Sequence, residues 1–132
     1  MCNKKFKSGT IIKGKDLKGR VLCKVLSEDM NMRGFQYKIG LNEDINPLEL
    51  EGSCKAGLHF IEINKIITFL DFGTKLAIVK IPDEEDVYVD DDKYRTHRLI
   101  IKKVMLLDSR ETWKFLVQNK IRIKRNDNYV VR

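Results

Sequence analysis

The sequence lacks the long apolar runs that characterise membrane-spanning and secreted proteins. No stretch of its 132 residues approaches the roughly 18 consecutive apolar residues of a bilayer span. The N-terminal residues MCNKKFKSGTIIKGK carry charge but no continuous apolar segment, which argues against a signal peptide. Cys2 occupies the position at which N-myristoylation requires glycine. We therefore expect a protein that is not secreted and that has no membrane partner.

Cysteine is scarce, and its spacing excludes several kinds of site. Cys2, Cys23 and Cys54 are far apart and odd in number, which argues against a disulfide framework and for a reducing compartment. Cys54 and His59 have a C-x₄-H spacing, but the close cysteine pair typical of a zinc site is missing. A thiol–imidazole pair of Cys54 with His59 or His97 would lack an orienting third group. We predict no metal, no cofactor and no catalytic residues.

Nucleotide and calcium motifs are also missing. Neither KSGTIIKGK nor GKDLKGR has the G-x₄-GK[ST] spacing of a P-loop. Residues 83–92 contain seven acidic side chains without the glycine of an EF-hand loop, so a solvated turn is favoured over a cation site. The chain contains no internal repeat, linker or low-complexity tract, and its length fits a single domain, 1–132, with a buried core.

Charge, by contrast, is abundant and unevenly distributed. Residues 1–30 have a net charge of +5, residues 31–92 of −7 and residues 93–132 of +9. The first interpretation is that the basic ends fold back beside the acidic middle. The second is a basic face that binds nucleic acid or another polyanion.

Basic residues with interleaved aromatic rings support the second interpretation, because single-strand binders combine a positive groove with stacking rings. Phe6 lies in the N-terminal cluster and Tyr129 in the C-terminal one. The candidate nucleic-acid-binding residues are Lys4, Lys5, Lys7, Arg122, Lys124 and Arg125.

Apolar patterning predicts a single α+β domain with a mainly antiparallel curved sheet. Strands are expected over 21–26, 33–39, 57–61, 75–81, 87–89 and 99–107, with a loop over 41–52 and a C-terminal hairpin over 120–131. Residues 1–20 form either a loose basic arm or one short edge strand. An edge strand such as 121–125 offers a route to a homodimer.

Two helices are expected, over 64–72 and 109–119. Asn64 is the predicted N-cap of the first helix, and Gly73 is expected at its end. Asp108 or Ser109 is the predicted N-cap of the second. The predicted core anchors are Phe35, Tyr37, Phe60 and Trp113.

Four pieces of sequence carry a resemblance to a known family: RGFQYKIGLN, SCKAGLHF, ITFLDFGTKLAIVKIPDEEDVYV and DKYRTHRLII. The segment that contains them, 32–113, covers about 60% of the chain. It resembles the small N-terminal domain that precedes the repeats in giant-virus (mimivirus-type) ankyrin-repeat proteins, here without the repeats. The resemblance implies a viral domain in the cytoplasm of an infected host cell or in the virion.

The expected function is therefore a non-enzymatic binding or interaction module with a protein partner that the sequence does not identify. Nucleic-acid binding through the basic termini is one alternative. The other is an enzyme with an ADP-ribosyl-transferase-like cleft, in which a curved sheet brings together Arg33, His59 and an acid of residues 83–92. This last alternative is an analogy at the level of the fold.

Overall fold

The computed structural model describes residues 5–44 and 57–121, which form an α+β fold as predicted. The strands are β1 (Ile11–Lys13), β2 (Leu22–Leu26), β3 (Asn31–Met32), β4 (Phe35–Gln36), β5 (Gly40–Glu43), β6 (Leu58–Glu62), β7 (Lys75–Lys80), β8 (Asp86–Val89), β9 (Tyr94–Thr96) and β10 (Arg98–Leu106). Helix α1 (Ile66–Phe69) lies between 3₁₀ turns at Ile63–Lys65 and Leu70–Phe72, and α2 spans Arg110–Gln118. No helix in the described ranges is long and apolar enough to cross a bilayer.

Eight of these strands form one antiparallel sheet in the order β1-β8-β9-β6-β2-β7-β10-β5, and β3 and β4 pair as a separate hairpin. Strand β2 lies near the middle, where β6 and β7 flank it. Of the two alternatives for residues 1–20, the described part contains an edge strand, β1, paired with β8. The predicted hairpin at 120–131 lies almost wholly outside the described residues.

The sheet has an apolar core on each face. The core on the face opposite the two helices, called the inner core here, includes Leu22 and Leu26 of β2 and Phe60 of β6, among other strand residues. The helix-covered core includes Cys23 and Val25 of β2, packed with the side chains that α1 and α2 contribute, Ile66 and Leu116. Alternate residues of β2 thus enter opposite cores, as the side-chain period of a strand requires.

The predicted strand over 33–39 is wrong. The chain instead makes a tight hairpin, in which Arg33 and Gly34 both have left-handed backbones, with φ of 56° and 81°. Two successive residues of this kind form a type I′ turn, whose twist matches that of paired strands. Strand β5 lies in the predicted loop, and β9 was not predicted.

Trp113 is not the core anchor that the sequence predicted. It is 46% exposed, whereas Leu116 is 1% exposed. The buried stripe of α2 consists of Thr112 and Leu116, four residues apart, and Trp113 lies about 100° away around the helix. The predictions for Tyr37 and Phe60, both buried, are confirmed, and Phe35 packs half-buried against the inner core.

The helix ends agree with the sequence only in part. Ser109 caps α2, since its Oγ accepts a hydrogen bond from the Thr112 amide at 3.2 Å. Asn64 is not a cap, because it lies inside the 3₁₀ turn that precedes α1. Gly73 does end the first helical segment, but its φ of 178° is extended. Glycine is needed there because a Cβ would lie 2.0 Å from the Leu26 carbonyl oxygen.

Ion pairs join the N-terminal basic segment to the acidic turn formed by residues 83–86, which runs into β8. Lys13 pairs with Asp86 at 2.7 Å. Lys15 pairs with Glu84 at 3.6 Å and Lys18 with Asp83 at 3.3 Å. The predicted charge complementarity is therefore confirmed for the N-terminal segment, and the C-terminal basic residues 122–132 lie outside the described residues.

Candidate functional site

Strands β2 and β6 separate part-way along their length, and a cavity lies where they part. Their register pairs Leu22 with Glu62 and Cys23 with Ile61, and it ends there. Beyond this point β2 continues to pair with β7, and β6 pairs with β9. A cavity of about 430 Å³ is lined by both strands, by the β3–β4 hairpin and by the helical segment after β6.

The cavity combines aromatic walls with a small number of charged groups. Its aromatic lining residues are Phe35, Tyr37, Phe60, Phe69 and Phe72. Its charged lining residues are Lys24, Arg33, Asp44, Asp92 and Lys93. Aromatic and charged side chains in equal number therefore share one concave surface, and concave sites that join apolar walls to placed polar groups are where small molecules bind.

Lys24 is the unusual residue of this lining. It lies on the inner face of β2 between two core leucines and is only 8% exposed. Its Nζ donates a hydrogen bond to the His59 carbonyl oxygen at 2.6 Å and lies 4.9 Å from the centroid of the Tyr37 ring. Both of these partners are uncharged. Burial, assisted by the positive charge of Arg33, lowers the pKa of Lys24 to about 7.

His59 lies in the same electropositive surroundings. Burial is the main cause that lowers its pKa to about 3, and Lys24 and Arg33 add to the effect. The imidazole is therefore neutral near pH 7 and offers hydrogen bonds without a charge. The positive charges near His59 that line the cavity are those of Lys24 on β2, Arg33 in the β3–β4 hairpin and Lys93 in the turn before β9. Together they favour an anion over a cation in this part of the cavity.

Aromatic rings from two different elements border the cavity. The rings of Phe35 and Tyr37 meet edge to face at a centroid distance of 4.7 Å, and those of Phe69 and Phe72 do so at 5.2 Å. Burial raises the pKa of the Tyr37 phenol, which keeps it protonated at neutral pH. Phe72 is 59% exposed. An exposed phenylalanine beside a cavity offers a large apolar area to a ligand.

The paired end of the β2–β6 junction is closed by a different polar cluster. Glu62 accepts hydrogen bonds from Arg20 Nη1 at 2.8 Å and from the Tyr94 hydroxyl at 2.5 Å. The Arg20 and Glu62 side chains are 7% and 16% exposed. The opposite charges of Arg20 and Glu62 compensate one another, as charges buried together must, whereas the described partners of Lys24 at the open end are uncharged.

Two of the predicted site residues lie at the same cavity. Arg33 and His59 both line it, together with Asp92 of the acidic segment. Of the predicted nucleic-acid-binding residues, Lys5 and Lys7 are described and exposed. The other four, Lys4, Arg122, Lys124 and Arg125, lie outside the described residues, as does Cys54.

Sequence reasoning missed Lys24. The signal was present, because VLCKVL is an apolar strand interrupted by one charged residue. A strand buried on both faces rarely contains a lysine, since an ammonium ion is costly to desolvate. Within the ranges 5–44 and 57–121, no group of three histidine, cysteine, aspartate or glutamate side chains could hold a metal ion.

Comparison with known proteins places the cavity inside a recognised domain. A family model described as "Domain of unknown function (DUF7666)" matches residues 21–111. The chain is 26% identical over 121 residues to the "Putative ankyrin repeat protein R868" of Acanthamoeba polyphaga mimivirus, with 86% of this chain and 60% of that protein covered. It is 33% identical over 118 residues to the "Uncharacterized protein R869" of the same virus, covering 83% and 84%.

These relatives confirm the resemblance to mimivirus-type proteins that the sequence indicated. The chain spans less than two thirds of the length of the first relative. No solved structure matches the chain. All described residues that line the cavity, from Lys24 to Lys93, lie within the matched domain.

Proposed function

This chain belongs to the DUF7666 family, and from that premise we propose that it is a non-enzymatic binding module whose ligand occupies the cavity between β2 and β6. One observation carries the proposal: the cavity combines aromatic walls with a buried lysine whose described partners are uncharged. Its volume of about 430 Å³ lies within the range of roughly 300–1,000 Å³ for small-molecule sites. The ligand is therefore a small molecule.

The protonation states of His59 and Tyr37 favour fixed hydrogen bonds over acid–base catalysis at these two residues, whereas the amine of Lys24, with a pKa of about 7, meets the pKa requirement of a general acid or base. A general acid or base works best when its pKa lies near the working pH. The pKa of His59, about 3, is far from neutrality, and that of the Tyr37 phenol is raised. Neither group exchanges a proton readily near pH 7, and both suit the fixed hydrogen bonds of a binding site.

The binding of two matched dyes tests the proposal. N-phenyl-1-naphthylamine is neutral, and 8-anilino-1-naphthalenesulfonate is the same ring system with one anionic group. We expect at least one dye to bind saturably with one-to-one stoichiometry. Amide chemical shift changes should cluster at Lys24, at the β3–β4 hairpin and at β6. Changes confined to α2 around the exposed Trp113, or no saturable binding of either dye, would overturn the proposal.

The enzyme alternative has one observation in its favour. Arg33, His59 and the carboxylate of Asp92 line one cavity, which is the convergence that an ADP-ribosyl-transferase-like cleft needs. Its test is nicotinamide release from NAD⁺ by the protein and by a His59→Ala variant. Turnover that depends on His59 would replace the binding module with an enzyme, and release at the rate of a protein-free blank would exclude this activity.

Nucleic-acid binding through the basic termini is the weaker alternative. Lys13, Lys15 and Lys18 already pair with the acidic turn, so much of the described N-terminal charge is balanced within the molecule. A salt series with single-stranded RNA or DNA tests it, because phosphate contacts weaken steeply as salt rises. Absence of binding at low salt would leave charge balance as the role of these lysines.

A further inference from the structure

We propose that the ligand is a compact organic monoanion whose acidic head group binds Lys24 Nζ and whose flat apolar body lies against Phe35, Phe69 and Phe72. This inference rests on the proposed binding function of the cavity. It adds the charge of the ligand and the residue that recognises that charge.

The first step is the position of the Lys24 amine. An ammonium group has three donors, and burying one without a counter-charge costs several kcal/mol. Here the hydrogen bond to the His59 carbonyl occupies one donor, and the Tyr37 ring provides a weaker cation–π contact. The lysine also lines the cavity. An anion in the cavity would supply the counter-charge that these two partners do not.

The second step is the charge of the described lining, which selects a monoanion. The cavity that Lys24 of β2 borders is also lined by Arg33 from the hairpin and Lys93 from the turn before β9. Asp44, after β5, and Asp92, beside Lys93, carry the opposite charge. The other titratable groups of the lining, Tyr37 and His59, are neutral near pH 7. When Lys24 is protonated, as it is with an anion bound, three cations against two carboxylates leave one net positive charge, which fits a single carboxylate or sulfonate better than a polyphosphate.

The third step is the apolar wall. Phe35 comes from β4, whereas Phe69 and Phe72 come from the helical segment after β6. Rings from separate elements give a planar ligand more than one aromatic surface to contact. Stacked and edge-to-face aromatic contacts add to the free energy of simple area burial. A ligand with a ring and one acidic group uses both halves of the cavity.

Lys24 also couples binding to protonation. Its pKa of about 7 means that about half of the amines are neutral at pH 7 and most are neutral at pH 8. An anion favours the charged amine and raises its pKa, so binding at pH 8 takes up close to one proton. At about pH 6 the amine is already protonated, and the uptake falls towards zero. The affinity for the anion should fall by up to about tenfold per pH unit above 7.

The experiment compares the anionic and neutral dyes on the wild type, on Lys24→Met and on Lys114→Met. Lys114 is exposed on α2, outside the cavity lining, so its variant controls for the loss of one positive charge. We expect the wild type and Lys114→Met to bind the sulfonate at least about tenfold more tightly than the neutral dye. Lys24→Met should bind both dyes equally. Calorimetry in phosphate and Tris buffers at pH 8 should report uptake of about one proton.

The outcomes separate this inference from the function on which it rests. If both dyes bind in the cavity with equal affinity and Lys24→Met changes neither, the anion inference is wrong and the binding module stands. If neither dye binds in the cavity, the proposed function itself fails. Should Lys24→Met not fold, the pH series on the wild type decides: a sulfonate affinity that is flat from pH 6 to about pH 8 contradicts the role of Lys24.

Discussion

The two faces of strand β2 place adjacent residues in different surroundings: Cys23 lies in a packed core, and Lys24 lies at the edge of a cavity. Cys23 is fully buried in the helix-covered core, and burial raises the pKa of its thiol to about 12. Lys24 is 8% exposed on the inner face, and burial lowers the pKa of its amine to about 7. Burial favours the neutral form in both cases. The difference is space, since one group is enclosed by packed side chains and the other borders a cavity.

The cause of that difference is the course of β6. On the helix-covered face, Ile66 and Leu116 descend from the helices and pack with Cys23. Beyond Cys23 the pairing of β2 with β6 ends, and the gap between the strands, which Val25 and Ile61 of the helix-covered core also line, lies beside Lys24. A buried titratable group becomes a candidate binding group only where the packing leaves room for a ligand.

The largest expected effect is on the pH dependence of stability, and it belongs to Lys24. Its folded pKa is about 7 and the usual lysine value is 10.5, a gap worth on the order of 5 kcal/mol. Below pH 7 the lysine is charged in the folded and unfolded states, so the full cost of burial is present. Between pH 7 and 10.5 the unfolded state binds more protons, so the free energy of unfolding rises with pH.

Lys24→Met removes this cost, and it should therefore stabilise the protein most at or below pH 7 and progressively less up to pH 10. Urea unfolding at about pH 6, 8 and 10 measures the difference. Lys114→Met, on the surface, is the matched control and should show no such trend. A difference between Lys24→Met and the wild type that does not change with pH would contradict the lowered pKa of Lys24.

The next effect tests the filled face. Leu116 is 1% exposed beneath α2, whereas its neighbour Val117 is 56% exposed. Leu116→Ala leaves a cavity in the helix-covered core and should cost about 2–5 kcal/mol of unfolding free energy. Val117→Ala should change it by less than about 0.5 kcal/mol. Equal costs, measured by urea unfolding, would mean that α2 packs through a different stripe.

A smaller effect is expected at Trp113, on the outside of the same helix. A buried tryptophan replaced by alanine typically loses about 3–5 kcal/mol. Because Trp113 is 46% exposed, we expect Trp113→Ala to lose roughly half of that or less. The measurement is thermal or urea unfolding of the variant beside the wild type. A loss as large as that of Leu116→Ala would show that the tryptophan is buried after all.

The last test uses chemical modification of the native protein and compares the neighbours Cys23 and Lys24 directly. In the native protein, a small acylating reagent that enters the cavity should modify Lys24 at about pH 7, because a pKa of about 7 leaves about half of its amine neutral. Iodoacetamide should leave Cys23 unmodified until the protein unfolds. Peptide mass spectrometry resolves each site. Fast alkylation of Cys23, or no acylation of Lys24 in the native protein, would remove the contrast between the faces.

Much of the fold could be predicted from local pattern. The apolar runs located β2, β6, β7 and β10, and Ser109 was one of two predicted caps of α2. Errors arose where local pattern is ambiguous. Alternation over 33–39 resembles a strand, but the φ values of Arg33 and Gly34 turn the chain into a hairpin. Trp113 is exposed because α2 packs on the sheet through the side of the helix that carries Thr112 and Leu116. The sequence of α2 does not show which side of the helix faces the sheet.

The sequence by itself determined the α+β class, because this depends on composition and local periodicity, and four of its segments carried the resemblance that identified the family. Of the two interpretations of its uneven charge, the ion pairs in the structure favour charge complementarity for the N-terminal segment. The tertiary structure alone decided where β2 and β6 part, and therefore that Lys24 borders a cavity with Arg33 and His59. Strand separation results from pairing between residues distant in sequence, and periodicity within one strand carries no information about when its neighbour leaves. The sequence shows a single lysine in an apolar strand, but only the tertiary structure shows that a cavity large enough for a ligand lies beside it.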